Sequence, residues 1–356
     1  MIIDMFRGVL ANIGLHTLII IFIFPLLGCS DRQNVADKKN TKDEDLQVVR
    51  QQLPSVVATT NIVCSFLKQI AEETINLNCL IPPNTDPYSY QPQAKDKQAI
   101  ESAKVIFYNG YNLEQNLINI IRTQDKPIPK IAVAEIAIVN PRRLKLNGGS
   151  VVDPHVWHDV RNAIQMVDII SSSLNEIFPE NAAKYTKNAE AISKELEQLD
   201  AWIKARVASI PSNQRQLVTI HDAMSYYIQA YQFAVKGYLV GINGAEQPSS
   251  TKIQQFANNL NKANISTLFP EATSNQQITT AIAKAVNSQR SAREEKLRVS
   301  QRLLFTDSLS KTGTEADTYQ KMMAANTRTI VEGNGGTYLL FEPKLEPKVE
   351  SKSKSN

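Results

Sequence analysis

The stretch ENAAKYTKNAEAISKELEQLDAWIKARVASI, residues 180–210, lies between Pro179 and Pro211. Tyr185, Ile192, Leu196, Leu199, Ile203, Val207 and Ile210 recur at three- and four-residue steps, which lines them up on one face of a helix, while Lys, Glu and Asn fill much of the rest. The spacing predicts one long amphipathic helix, about 45 Å if uninterrupted, longer than one small domain needs and long enough to connect two. Apolar strand-like runs alternate with helical ones on both sides of it, and 356 residues exceed one comfortable hydrophobic core. The fold class expected is therefore α/β: two lobes with parallel sheets and flanking helices, joined by one long rigid helix.

Working outward, residues 53–178 form the N-terminal α/β lobe of this reading, 179–210 the linking helix and 211–341 the C-terminal α/β lobe. In the first lobe, SVVATT (residues 55–60) is a β-branched strand, residues 62–74 carry helical spacing, and INLNCLI (75–81) is a second strand. The Pro-rich loop PPNTDPYSYQP (82–92), a helical stretch at 94–102, a strand and turn at 104–110 and further alternation to residue 137 give the pattern of a parallel sheet with crossover helices. After a Gly148-Gly149 break, VVDPHVWHD (151–159) offers Asp153 as a helix cap and Pro154 for the first turn, placing His155 at a helix mouth. Beyond the long helix, QLVTI (216–220) is a strand that delivers His221 and Asp222 to a helical stretch at 223–233. Strands at 267–269 and 303–306 end at Pro270-Glu271 and Asp307. Strand ends in such sheets are where ligands bind.

The termini address the compartment. Arg7 precedes the apolar run LHTLIIIFIFPLL (15–27), too short for a comfortable membrane span and suited to a secretory signal. Leu26-Leu27-Gly28-Cys29 resembles a bacterial lipobox, which implies removal of residues 1–28 and a lipid on Cys29; the other reading is an uncleaved signal anchor. Both put the folded part outside the cytoplasmic membrane, in the periplasm or at the cell surface. Residues 29–52 are polar and charged, a flexible tether, and residues 342–356 are a Lys/Glu/Pro/Ser tail expected to be disordered. An oxidising compartment would allow Cys64 and Cys79 to pair, but spacing does not place their Cα atoms within the ~4.4–6.8 Å that a disulfide needs, and they are read as small buried hydrophobes.

The net charge of +4 is small and no Lys/Arg stripe is interleaved with aromatics, so nucleic acid is not an expected partner. Neither GxGxxG nor GxxxxGK[ST] occurs, so no phosphate-cradling loop is indicated. Histidine occurs four times, and once His16 leaves with the signal only His155, His158 and His221 remain. Imidazole and carboxylate together suit zinc, manganese or iron. The plainer alternative is that His155 caps or packs and that His221 is a hydrogen-bonded core residue.

Seven segments decide between these readings. TDPYSYQP (85–92), DPHVW (153–157), VTIHDAMSYYIQAY (218–231), GINGAEQPSS (241–250), FPEATSN (269–275), TDSLSKTG (306–313) and YQKMMAAN (319–326) resemble, in order and spacing, the metal-binding receptor lipoproteins of bacterial zinc and manganese ABC importers. The resemblance covers about residues 55–341. It implies a monomeric receptor without catalysis that holds one metal ion between two lobes and passes it to an ABC permease. It implies His155 as a ligand from the first lobe, with His221 and Asp307 from the second.

The family's first ligand is usually a His in a DPHxYxP loop, and Tyr88 stands at that position. Either Tyr88 is a lid, with water or a swung-in Asp86 or Glu271 in the fourth position, or it binds as phenolate, which favours ferric iron. Glu271 is otherwise an acceptor behind the ligands. His158 shares a face with His155 and is read as packing or solvent-facing, with ligation as the alternative. Trp157, Tyr226 and Tyr227 are read as packing.

No His occurs in residues 123–150, so the His-rich loop of many zinc receptors cannot argue for zinc here. Two imidazoles and one carboxylate favour zinc over manganese, with His221 where manganese receptors tend to have a carboxylate, and iron comes behind both. Rival classes are a secreted metallohydrolase, for which no HExxH is present, and a paralogue that has lost metal binding and acts as an adhesin.

Overall fold

The computed structural model describes residues 53–146, 149–241 and 246–344. The signal sequence, Cys29, the tether and the tail from residue 345 lie outside the described residues. In the first half the chain runs β1 (Ser55–Ala58), α1 (Asn61–Ala71), β2 (Asn76–Cys79), α2 (Ala94–Ser102), β3 (Val105–Tyr108), α3 (Gln115–Arg122), β4 (Lys130–Ala132) and α4 (Val133–Ala137). The four strands form one parallel sheet in the order β2-β1-β3-β4. Parallel neighbours require a crossover, which the helices supply. Both faces of β1 are covered: Val56 and Ala58 enter one apolar core and Val57 the other, the period of two that a pleated strand imposes. Thr60 starts α1 by accepting a hydrogen bond from Val63 N, and Ile62, Phe66, Leu67 and Ile70 are buried from it.

An antiparallel hairpin of β5 (Arg143–Leu146) and β6 (Gly149–Val152) leads to α5 (Val160–Ile177) and then α6 (Ala182–Ala208). The last is the long helix read from the sequence, 27 residues and hence about 40 Å. Its apolar residues Tyr185, Ile192, Leu196, Leu199, Ile203 and Val207 are all buried. They belong to one core that also takes Phe66 and Met166 from the first half and Tyr227, Phe269 and Met322 from the second. The helix is thus a packed spine shared by both halves, a closer arrangement than a bare strut between separate lobes.

The second half runs β7 (Gln216–Thr219), α7 (Ser225–Ala230), β8 (Ala234–Tyr238), α8 (Ser250–Lys262), β9 (Thr267–Leu268), α9 (Gln276–Gln289), β10 (Arg298–Val299) and α10 (Tyr319–Gly333). Its strands pair in parallel, β7 with β8 and β9 with β10, over a core containing Val218, Ile220, Leu260 and Ile282. Among the described residues no helix is long and apolar enough to cross a membrane.

Three expectations need correction. The strand expected at 303–306 is reduced to a single bridge between Leu304 and Glu271. The Asn326 side chain occupies both Phe305 N and Phe305 O, and His158 occupies Thr306 O, so the groups that would extend a ladder are taken. Asp153 does not cap a helix: a 3₁₀ turn at Val156–His158 intervenes, and Asp159 caps α5 by accepting from Arg161 N. Cys64 and Cys79 are not separate hydrophobes but a disulfide with Cα atoms 5.8 Å apart. Pairing of Ala58 with Cys79 in the parallel ladder carries the end of β2 beneath α1, a proximity that sequence spacing does not encode.

The disulfide closes a loop of 15 residues, for which chain entropy gives about 3 kcal/mol of stabilisation. The Cys64→Ala/Cys79→Ala variant is expected to lose about that much in a denaturant melt, and reductant should bring the wild-type protein to the same midpoint while leaving the variant unmoved.

Candidate metal centre

Three elements bring the site together. The turn after β6 delivers His155, the end of β7 delivers His221, and the segment after the Leu304 bridge delivers Asp307. All three side chains are buried, and one ligand-type atom from each lies within 4.8 Å of the others. Asp307 Oδ1 is 3.1 Å from His155 Nε2 and 3.3 Å from His221 Nε2. Ligand atoms bound at ~2.0–2.1 Å to one tetrahedral ion stand about 3.4 Å apart, so this spread suits a single first-row cation.

Behind each imidazole stands a second carboxylate. His155 Nδ1 lies 2.8 Å from Asp153 Oδ1, and His221 Nδ1 lies 2.5 Å from Glu271 Oε2. Each carboxylate accepts a hydrogen bond from Nδ1–H, which in the neutral ring leaves Nε2 free to coordinate and fixes its direction. Glu271 is itself held, Oε1 accepting from Ile220 N and His221 N and Oε2 from Ser274 Oγ. The second oxygen of Asp307 accepts from Thr273 Oγ1 and Thr306 Oγ1. Glu271 is therefore an orienting acceptor. Asp153, read from sequence only as a cap, does the same work for His155.

Burial alone would pull the His155 imidazole down in pKa, but Asp153 and Asp307 outweigh it and raise it to about 9. His221 is likewise held well above the usual histidine value, with Glu271 and Asp307 overcoming burial. Burial acts to raise the Asp307 carboxyl, and the two rings nonetheless hold it well below the usual range.

His158 is different in kind. Burial, then the charge of His155, lowers it to about 3, so the ring is neutral. Its Nε2 donates to Thr306 O at 2.8 Å and its Nδ1 has no protein partner. It packs rather than joining the cluster.

Tyr88 lies beside the cluster, its ring centroid 6.0 Å from that of His155. Its buried hydroxyl has no protein partner, and burial, with Asp307 adding to it, raises the phenol well above its ordinary pKa. Asp86 accepts from Tyr88 N at 2.8 Å and is raised by burial and by Asp307. A cleft of about 490 Å³, bordered by Tyr88, Tyr111, Glu135, Arg143 and Pro154, adjoins the cluster. Gly110 sits on this flank at φ +93°, where a Cβ would meet the Glu135 side chain at 2.7 Å. Trp157, Tyr226 and Tyr227 are packed in the core.

A parallel-stranded α/β chain that buries two histidines and a carboxylate at the meeting of its halves is of the class that sequesters a small cation. The family model for the periplasmic component A of a zinc-uptake complex matches residues 56–333. The zinc-binding protein TroA of Treponema pallidum is 31% identical over 278 residues, 78% of this chain and 88% of that one. Its solved structure superposes with a TM-score of 0.73, covering 79% of this chain and 99% of that chain at 30% identity. The manganese-binding lipoprotein MntA of Bacillus subtilis is 28% identical over 320 residues, 90% of this chain and 98% of that one. Fe(III)-bound YtgA from Chlamydia trachomatis superposes with a TM-score of 0.70 at 25% identity, covering 80% of this chain and 99% of that chain. The chain belongs to this family of metal-binding substrate-binding proteins of ABC importers, whose members are transport receptors and not enzymes.

A ring protonated at both nitrogens cannot ligate, so a cation entering the cluster displaces protons. His155 and His221 are both raised, so at pH 7 their rings carry charge. Affinity should increase as pH rises from neutrality toward about 9, the His155 value. Calorimetric zinc titrations at pH 7 in buffers of differing ionisation enthalpy are expected to show release of about one to two protons per ion; no buffer dependence would contradict the assignment.

Proposed function

We propose that the chain is an extracytoplasmic receptor that captures one divalent transition metal ion between the lobes formed by residues 53–178 and 211–341 and delivers it to an ABC permease. The observation that carries this reading is the convergence of His155 Nε2, His221 Nε2 and Asp307 Oδ1, each ring backed by its own carboxylate. Tethering through lipid on Cys29 follows from the lipobox-like LLGC and from the lipoprotein names of relatives. We take the receptor to act as a monomer.

Zinc is the favoured cargo and manganese the next. Two neutral nitrogens and one carboxylate rank zinc above manganese on the general affinity order. Relatives named for zinc and for manganese match at comparable identity, so the preference rests on the donor set alone. Tyr88 fits the role of a lid: a phenol pushed up in pKa and buried without a partner stays protonated and is a poor zinc ligand. The fourth position then falls to water or to Asp86, because Glu271 is committed to His221 and to two backbone amides.

Equilibrium competition of zinc and manganese on dialysed protein tests this directly, with one ion bound per chain and zinc retained against equimolar manganese. His155→Ala or His221→Ala should weaken zinc by more than about 100-fold, since loss of an outer partner alone costs ~10–100-fold. His158→Ala should cost less than about tenfold by the same comparison. Unchanged affinity in both ligand variants would refute the site, and manganese displacing equimolar zinc would refute the preference.

Tyr88→His supplies a fourth protein ligand, a third imidazole nitrogen, where the phenol stands and should tighten zinc by more than about tenfold, a direct ligand outweighing an outer partner. Weaker zinc binding in that variant would contradict the lid. So would a visible tyrosinate charge-transfer band when the wild-type protein is loaded with ferric iron.

A further inference from the structure

Asp307 sits where the chain passes from one half of the molecule to the other. Just before it, the second half holds the backbone: Leu304 N bonds Pro270 O, Ala272 N bonds Leu304 O, and the Asn326 carboxamide grips Phe305 through both N and O. Just after it, the first half takes over. Asn61, the opening residue of α1, accepts from Leu309 N through Oδ1 at 2.7 Å and donates from Nδ2 to Ser308 Oγ at 2.7 Å. Asn84 N bonds Leu309 O at 2.9 Å, while on the near side of Asp307 His158, from the first half, already holds Thr306 O. Two buried carboxamides, one from each half, thus flank a single carboxylate.

We propose that Asn61 is a positioning residue of the metal site, fixing the Ser308–Leu309 backbone to the first half so that the Asp307 carboxylate is held opposite His155. This rests on the receptor reading above. Asp307 Oδ2 is already restrained by Thr273 and Thr306. The side chain therefore has little freedom to follow His155 by rotating, and the backbone on its C-terminal side decides where Oδ1 lies. Asn61 makes two short bonds to that backbone and its neighbouring hydroxyl, with a third, longer contact from Nδ2 to Pro82 O at 3.4 Å. An alanine there would strand Leu309 N, a buried donor, and free the segment from the first half. The consequence for function is that Asp307, encoded in the second half, acts as a ligand of the first when the halves are together.

The test is a double-mutant cycle read as zinc affinity by chelator competition, on the wild-type protein, Asn61→Ala, Asp307→Ala and the pair. Asn61→Ala alone should weaken zinc about tenfold, as for residues coupled in one hydrogen-bond network. In the Asp307→Ala background the same change should move affinity less than about twofold, and in the His221→Ala background the full loss should persist. Equal loss in the Asp307→Ala background means a general structural effect and overturns the proposal, as does no loss in the wild type. Wild-type protein that takes up no zinc, or Asp307→Ala binding as wild type, overturns the receptor reading together with the proposal, which separates that failure from additivity. Should Asn61→Ala not fold, as judged by circular dichroism and its melting point without zinc, Ser308→Ala removes the hydroxyl that Nδ2 grips. The cycle with Ser308→Ala is expected to couple to Asp307 in the same sense, and additivity there overturns the proposal equally.

Discussion

A buried row of alternating charge governs the molecule: Asp153, His155, Asp307, His221 and Glu271, each joined to the next at 2.5 to 3.3 Å. Isolated, any of these groups would be expensive to remove from water. In series, every imidazole faces a carboxylate on both sides and every carboxylate faces at least one imidazole, so the desolvation of each is offset by its neighbours. The outer carboxylates also set the tautomer of the rings, and the middle one sits where both Nε2 atoms point. On the receptor reading a cation would take the place of protons in the middle of that row, where both Nε2 atoms meet Asp307.

The row spans elements far apart in the chain, and the packed spine α6 is what keeps its two ends in register. Leu196, Leu199 and Ile203 of α6 lie in the same core as Trp157, next to His155 but one, and as Met224, three residues after His221. A core that is continuous across the halves resists gradual deformation. The contacts that join the halves beside the cluster, such as those of Asn61 and His158, are polar, unlike the apolar packing along α6.

Much of this was legible in the sequence, and the boundary of legibility has a physical cause. The strands at Ser55–Ala58 and Gln216–Thr219 and the long helix announce themselves by period, because burial of one face repeats every two or every 3.6 residues. His155, His221 and Asp307, which the fold brings together, stand out in the sequence through scarcity of histidine and through motifs, whose order along the chain survives folding. Asp153 was visible but assigned to a helix cap, since Asp before Pro reads as a start signal whether or not a 3₁₀ turn follows. The DPH spacing, which puts a carboxylate two residues before the ring, was the available clue. Asn61, Asn326 and the Cys64–Cys79 disulfide were not readable, because each depends on a long-range approach that no local pattern records.

Tyr88 stands beside that row rather than in it, where the resemblance leads one to expect a histidine. Its phenol occupies the flank of the cluster, 6.0 Å centroid to centroid from His155, and shares its surroundings with Asp86 and Asp307, both acidic. Burial, with those negative neighbours added, makes the phenolate harder to form, so the buried hydroxyl stays a neutral oxygen without a protein partner. On the receptor reading proposed above, three protein ligands and a phenolic wall would bind an ion less tightly than four protein ligands and would leave one coordination position to water. Water in that position is the group most readily exchanged for a donor from outside. On that proposal the residue that weakens capture would also ease handover to a permease, since the position it leaves to water is the one a donor from outside would enter.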